Sequence, residues 1–245
     1  MLNYRSASIF CTLVIAIQGL FGFAQNFENL KVLPKDISKK QMTQTMKAFS
    51  RSLGVRCDFC HVGEPGAPLS SFDFASDEKE TKQITRKMME MVGHINGTAL
   101  KDLEGPGKSG HVSCYTCHRG VPDPTPLDQV LAKQFKKNGL EATINRYNEL
   151  RSQFYGEDAY NFGPGTLFKV AEDLAGQNHA DAAISVLNLN LEHYADSGYS
   201  HFLLGDLYSQ KGDTVHAEQH FKKAIELMPN WPEPKKRLEQ LKSSN

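Results

Sequence analysis

The sequence shows no excess of charge of either sign. It has 28 lysines and arginines against 28 aspartates and glutamates, so its formal net charge is zero at pH 7. A balanced charge gives no reason to expect a nucleic acid or another polyanion as a partner. The composition is otherwise ordinary for a soluble globular protein, and 245 residues are enough for one large domain or two smaller ones.

Cysteine is scarce, and the number of cysteines in the mature protein depends on whether an N-terminal segment is removed. An apolar run follows Arg5, and the small residues Gly22 and Ala24 come at its end. A basic start, an apolar middle and small residues at a cleavage position are typical of a secretory signal peptide. We therefore expect export and removal of residues 1–24, which include Cys11. The alternative is an uncleaved N-terminus that anchors the protein in a membrane, because the run is long enough for this.

The chain also lacks the alternating apolar pattern of strands, which predicts an all-α fold. Ser38 and Gln41 form a capping-box pattern at the start of a first helix, which ends at Gly54. Ser76 and the acidic residues that follow it indicate the start of a second helix. Apolar faces run along both helices, through Met42, Met46, Phe49 and Leu53 on the first and Ile84, Met88, Met91 and Ile95 on the second.

The four remaining cysteines form two motifs, "CDFCH" at residues 57–61 and "CYTCH" at residues 114–118. In an exported protein an even number of cysteines first suggests disulfide bonds. A redox dithiol would use one such pair beside a βαβ pattern, and a zinc ribbon would need two pairs about 15–20 residues apart. These two pairs lie about 50 residues apart, and neither interpretation explains the histidine that follows each of them.

Covalent haem attachment explains every residue of both motifs. The two thiols bond to the vinyl groups of the porphyrin, and the following histidine is thereby placed to ligate the iron. The sequence therefore predicts two covalently bound haem c groups. The attaching residues are Cys57, Cys60, Cys114 and Cys117, and the proximal iron ligands are His61 and His118.

Each iron then takes a sixth ligand or keeps an open position. A methionine or histidine there makes an electron-transfer haem, whereas an open position allows ligand or peroxide chemistry. A methionine-bearing helix precedes each motif. Methionines on an apolar face commonly serve only to fill a core, but these faces must pack against something large, and haem is the obvious candidate. For an open iron, the available distal acid–base residues are His111 and Glu90.

The stretches that carry the motifs resemble a known family. "NLKVLP", "MKAFSRSLGVRCDFCH", "RKMMEMVGHIN" and "VSCYTCHRG", within residues 27–122, are similar to the multihaem cytochrome subunit of photosynthetic reaction centres. The resemblance implies Met46 as axial ligand of the first haem and Met88 as that of the second. Met42 and Met91, each a helical turn away, are the alternatives. The family has four haem motifs where this chain has two, which favours a two-haem relative found outside phototrophs.

The character of the sequence changes after the second motif. A Pro-rich segment, "VPDPTP" at residues 121–126, predicts a stiff linker, and a continuous helical pattern follows it. The pattern has the spacing of a tetratricopeptide repeat of about 34 residues. One copy contains Leu204, Gly205 and Phe221, and the equivalent residues of the copy before it are Val170, Ala171 and Leu187. Residues around 142 indicate a third, degenerate helix pair, and residues 232–245 a capping helix.

These patterns together predict a small dihaem c-type cytochrome domain with a haem-dominated core at residues 25–120. The linker at 121–126 and a tetratricopeptide-like domain at 127–245 follow. We expect an exported, periplasmic carrier that moves single electrons between redox partner proteins, alone or in a membrane-associated complex. The repeats would dock a protein. A dihaem peroxidase-like enzyme with one open haem, and a haem-based sensor or scaffold, are the alternatives.

Overall fold

The computed structural model describes residues 27–101 and 110–243, and the predicted signal peptide lies outside these ranges. The described residues form helices and turns with one isolated antiparallel bridge, between Val62 and Asp73, which confirms the all-α prediction. No helix in these ranges has both the length and the apolar character needed to cross a membrane. The chain divides into two compact units, Met1–Ala48 with Cys57–Asp102, and Phe49–Arg56 with Leu103–Asn245.

Two helices precede the second cysteine motif. Helix α1 spans Lys39–Leu53, and its capping box is formed as predicted, because the Gln41 side chain accepts from Ser38 N at 3.0 Å and Gln41 N donates to Ser38 Oγ at 3.3 Å. Helix α2 spans Glu80–His94 and continues into a π-helical turn at Ile95–Ala99. It begins later than the acidic residues after Ser76 suggested.

A turn held by Asp73 explains the late start of α2. The Asp73 carboxylate accepts from the backbone N–H groups of Ala75, at 3.0 Å, and Ser76, at 2.8 Å. Such side-chain bonds to the backbone compete with helix formation. Lys82 then holds the carbonyl groups of residues 74–76, so these groups are not available to a helical turn.

The described residues of the first unit form no apolar core of their own. Among residues 27–48 and 57–101 only Lys82 is buried, and it is not hydrophobic. The apolar residues of α2 face outward instead, since Ile84 is 45% exposed, Met88 39% and Met91 47%. A surface of this kind is normally covered by a partner or a ligand.

The second unit contains seven helices among the described residues. Their bounds are α3 Cys114–His118, α4 Leu127–Phe154, α5 Pro164–Gly176, α6 Ala180–His193, α7 Gly198–Gln210, α8 Thr214–Leu227 and α9 Glu233–Ser243. Helix α4 is broken at Gly139, whose φ of 79° lies outside the helical region and divides the helix into two arms. The pairs α5–α6 and α7–α8 form the helical repeat region, and α9 packs on its end.

The residues that the repeat spacing aligned share one property in the structure. They are all buried: Val170, Ala171, Leu187, Leu204, Gly205 and Phe221. Gly205 of α7 lies directly against the Phe221 ring of α8, because a Cβ atom at Gly205 would come within 2.6 Å of two ring carbons. The contact of two successive helices therefore depends on the missing side chain of a glycine.

We expect Gly205→Ala to lower the free energy of unfolding of the second unit by about 1–3 kcal/mol, the usual cost of overpacking a core. Phe221 is 1% exposed, so its ring has nowhere to move. Gly165→Ala in α5 is the matched control, because nothing lies within 4 Å of the added Cβ. It should stabilise the unit by about 0.5 kcal/mol through helix propensity. Equal effects of both changes in denaturant unfolding would contradict this packing.

Two histidines meet between α7 and α8. The Nδ1 atoms of His201 and His220 are 2.9 Å apart, and both rings are half-buried. Burial lowers the pKa of both residues, and for His220 the nearby His201 and His216 add to the effect and bring the pKa to about 4. The folded state therefore favours the neutral rings.

Acid should destabilise the second unit through this pair. Its stabilising contribution is complete above the ordinary histidine pKa of 6.5 and is lost as the pH falls towards about 4, because protons then bind the unfolded chain more strongly. We expect a loss on the order of 1–2 kcal/mol, reduced by partial exposure of the rings. The single tryptophan, Trp231, contacts Phe202 at 4.5 Å and reports unfolding by fluorescence. The pH dependence between 6.5 and 4 should be weaker in His220→Gln.

Candidate haem site

The first motif folds as a single tight turn. Cys57–Phe59 form a 3-10 turn, and the backbone N–H groups of Cys60 and His61 both donate to the Cys57 carbonyl, at 3.2 and 2.9 Å. Both thiols are free and partly exposed. Helix α2 holds the turn from one side, since the Thr81 hydroxyl donates to the Phe59 carbonyl and the Thr85 hydroxyl lies 3.7 Å from Cys60 Sγ. The turn presents two thiols and an imidazole within five residues.

The imidazole of His61 is held in its neutral form. Its ring meets the edge of Phe74, with centroids 4.9 Å apart. Burial lowers the pKa of His61, and the charges of Lys82 and Arg86 lower it further. Its Nδ1 is buried and has no hydrogen-bond partner among the described residues. A neutral imidazole is the form that binds iron.

The second motif forms a short capped helix, α3. Thr116 N donates to Ser113 Oγ at 3.3 Å, and Ser113 N donates to Thr116 Oγ1 at 3.0 Å, which completes a capping box. His118 Nδ1 lies 3.0 Å from the Val121 carbonyl, which can only accept. Nδ1 therefore carries the proton, and Nε2 keeps the lone pair that a metal requires. Burial raises the pKa of the Cys114 thiol, which is free and protonated at neutral pH.

Two glycines bring the end of α1 against the turn after α3. Gly120 N donates to the Ser52 carbonyl at 2.9 Å, and a Cβ atom at Gly54 would lie 2.0 Å from the Gly120 carbonyl oxygen. Both glycines have positive φ, 63° and 91°. The sequence marked Gly54 only as the end of a helix and did not predict this contact. Its sole signal was a glycine shortly before one motif and another shortly after the second.

A buried lysine and a shared carboxylate fix the segments around α2. Lys82 Nζ donates to the carbonyl groups of Phe74, Ala75 and Ser76 at 3.0, 3.1 and 2.5 Å. The Asp77 carboxylate pairs with Lys31 at 2.5 Å, Arg86 at 2.7 Å and Lys82 at 3.3 Å. The hydrogen bond from Lys31, together with those from Arg86 and Lys82, holds the pKa of Asp77 well below its usual range. No sequence pattern indicated this network.

The predicted axial methionines lie where the sequence placed them, on the apolar faces of α1 and α2. Met46 and its alternative Met42 are half-buried on α1, and Met88 and its alternative Met91 are exposed on α2. The assignment of Met46 and Met88 to an iron remains a prediction. His111 and Glu90, the candidates for a distal acid–base residue, are both exposed.

The residues present fit a large apolar group that carries a metal. Free thiols stand beside an imidazole in both motifs, and His61 has a buried ring nitrogen without a partner among the described residues. The first unit also exposes large apolar side chains that no segment within residues 27–101 and 110–243 covers. They are Phe59, Leu69, Phe74, Ile84, Met88 and Met91. A porphyrin would remove such a surface from water, and its iron would accept an imidazole.

Comparison with known proteins agrees with this chemistry. Residues 18–157, more than half of the chain, match the family model of the photosynthetic reaction centre cytochrome c subunit. The chain belongs to this family. The match passes both motifs and the Pro-rich segment and continues to the end of α4, so the similarity to the reaction centre cytochromes extends beyond residues 27–122. Membership implies covalently bound haem c.

Individual relatives share parts of the sequence. The reaction centre cytochrome c subunit of Thermochromatium tepidum is 37% identical over 100 residues, which are 40% of this chain and 22% of that protein. The corresponding subunit of Rubrivivax gelatinosus is 27% identical over 146 residues, 59% of this chain and 36% of that protein. Cytochrome c-554 of Chloroflexus aurantiacus is 31% identical over 98 residues. The chain thus spans between 22% and 36% of the length of these relatives.

Loss of haem should unfold the first unit and spare the second. In a variant with Cys57, Cys60, Cys114 and Cys117 all changed to Ala, the apolar face of α2 stays uncovered by the described residues, whereas the second unit keeps its own core. Amide hydrogen exchange should show rapid exchange along α2 and retained protection in α6 and α7. The haem-loaded chain serves as control. Protection of α2 amides in the haem-free variant would contradict the prediction.

Proposed function

We propose that this protein is an exported dihaem c-type cytochrome that transfers single electrons between redox partner proteins. The observation that carries the proposal is the repeated arrangement of two free thiols and a histidine, on a chain that belongs to a cytochrome c family. Cys57 and Cys60 would hold one haem and Cys114 and Cys117 another. His61 and His118 would be the proximal ligands, and bound haem supplies reversible one-electron chemistry at its iron.

The chain's own residues prepare the two sites in different ways. The Val121 carbonyl fixes the tautomer of His118, which directs Nε2 away from the backbone. Burial and two nearby cations keep His61 neutral. The apolar faces of α1 and α2 exclude water from whatever they cover, and they carry Met46 and Met88, the proposed sixth ligands. A thioether ligand favours the reduced iron and raises the reduction potential relative to a second histidine.

The helical repeat region supports a docking role. The spacing of its buried residues agrees with tetratricopeptide repeats, and stacked helix pairs of that kind present extended protein-binding surfaces. The proposed partners are redox proteins, met in the periplasm or within a membrane-associated complex. Export rests on the signal-peptide pattern of residues 1–24.

Substitution of the two methionines tests the ligand assignment. In Met46→Ala and in Met88→Ala, one haem each should lose its thioether ligand, because no other sulfur replaces it at that position. Its midpoint potential should fall by roughly 100 mV or more, within the range of about 0.8 V over which axial ligands set haem potentials. Near-infrared magnetic circular dichroism identifies the iron ligands, and a redox titration gives the potentials.

Met42→Ala and Met91→Ala are the matched controls, since each lies one helical turn from the proposed ligand on the same helix. They should leave both spectra and both potentials close to those of the unchanged protein. A high-spin haem in the unchanged protein that reacts with peroxide or carbon monoxide would rule out the electron-carrier assignment.

A further inference from the structure

A groove of about 520 Å³ lies in the second unit, lined by both arms of helix α4. Lys133 and Lys137 line it from the first arm and Arg146 and Glu149 from the second. The break at Gly139 is what allows two arms of one helix to line the same groove. The predicted third helix pair therefore creates a surface feature as well as a part of the core.

The groove has more basic than acidic side chains in its lining, since Lys133, Lys137 and Arg146 face only Asp123 and Glu149. Glu149 accepts from Arg146 at 3.2 Å, and Asp123, at the edge of the groove, accepts from the Thr125 hydroxyl at 2.6 Å. Lys133 and Lys137 are exposed one helical turn apart, and neither forms a salt bridge within the part of the chain that the structure describes.

The local sequence strengthens this charge. Between Asp128 and Glu141 the chain carries three lysines, Lys133, Lys136 and Lys137, and no acidic residue. Lysines grouped in this way keep a positive potential over the surface at low and moderate ionic strength. The chain as a whole has no net charge, so this is a local feature of α4.

The groove begins close to the second motif. His118 Nδ1 is 3.0 Å from the Val121 carbonyl, and Asp123 follows only two residues later. Two residues of extended chain span at most about 7 Å. The edge of the groove at Asp123 therefore lies within roughly 10 Å of the imidazole that would ligate the second haem.

We propose that this groove is a docking site for an acidic surface on a redox partner, which would exchange electrons with the second haem. The inference rests on the proposed function and adds the charge of the partner and the place where it binds. Complementary charge accelerates encounter and fixes orientation more than it increases affinity. Its effect should therefore appear in association rates and in their dependence on salt.

The experiment is stopped-flow oxidation of the reduced, haem-loaded protein by two small reagents of opposite charge, ferricyanide and tris(phenanthroline)cobalt(III). The variant Lys133→Glu/Lys137→Glu should slow the oxidation of one haem by ferricyanide roughly tenfold at low ionic strength, within the range of steering effects. It should accelerate oxidation by the cobalt cation. Both differences should disappear at about 1 M salt, where charges are screened over about 3 Å.

The matched control is Lys235→Glu/Lys236→Glu on α9, which changes the net charge equally at exposed positions in the same unit. It should alter neither rate by more than about twofold, since a local rather than a global field is expected to act. Lys133→Gln/Lys137→Gln should give an intermediate effect. Equal changes in both double variants, or no change in either, would overturn the docking site.

Two further measurements, vesicle binding and haem content, distinguish a docking site from a membrane-binding surface and from a failure of the proposed function. If the Lys133→Glu/Lys137→Glu variant loses binding to vesicles of anionic phospholipid while its ferricyanide rate is unchanged, the groove meets a membrane surface and the proposal is wrong. Haem content and reversible reduction are measured first. A chain without two reversibly reduced haems refutes the proposed function, whereas two such haems with charge-independent rates refute only the docking site.

Discussion

The first unit depends on a surface that its own residues do not bury. Apolar side chains stabilise a fold only when they leave water, and here the apolar face of α2 is exposed among the described residues while a lysine takes the buried position. Polar contacts hold the segments in place instead. The Lys82 ammonium group donates hydrogen bonds to three carbonyl groups, and the Asp77 carboxylate forms ion pairs with three cations. Such contacts fix geometry but replace bonds to water with little net gain, so the free energy of this unit must come from what covers the apolar faces. A porphyrin attached through two thiols would cover them and also restrain the unfolded chain.

The second motif is ordered by different interactions from those that hold the first unit. Its short helix is closed by the Ser113–Thr116 capping box, and the Tyr115 hydroxyl donates to Asp158 at 3.2 Å, which raises the pKa of Tyr115. The residues that follow it, Val121 and Leu127, are buried in a unit with an extensive apolar core. This motif is therefore ordered by protein contacts without a haem, whereas the first motif would acquire a core only with the proposed haem. The two sites should differ in the energy that each gains from its haem.

Much of this could be predicted from the sequence because it rests on short-range patterns. The Ser38 cap, the helical faces and the spacing of Leu204 and Phe221 each follow from residues within a few turns of one another. The contacts that sequence reasoning missed join distant residues. Gly54 against Gly120 is a backbone contact without any side-chain signature, and Lys82 looked like an ordinary surface lysine of an amphipathic helix. The late start of α2 arose because Lys82 Nζ holds the Ser76 carbonyl, which would have accepted the first hydrogen bond of a helix that begins after Ser76.

The Pro-rich segment 121–126 combines a short-range sequence pattern with contacts to neighbouring elements. Its prolines predict a stiff, extended connection, and it joins α3 to α4 without forming a helix. Its first residue is buried, and the carbonyl of that residue orients the His118 ring. The residue after the segment, Leu127, is also buried and belongs to the core of the helical repeat region. The segment therefore connects the core of the helical repeat region to the carbonyl group that holds the ring of His118, a proposed iron ligand. A change in the repeat core that moves α4 would move the Val121 carbonyl with it. The helical repeat region would thus help to support the proposed second haem, in addition to its proposed role in docking.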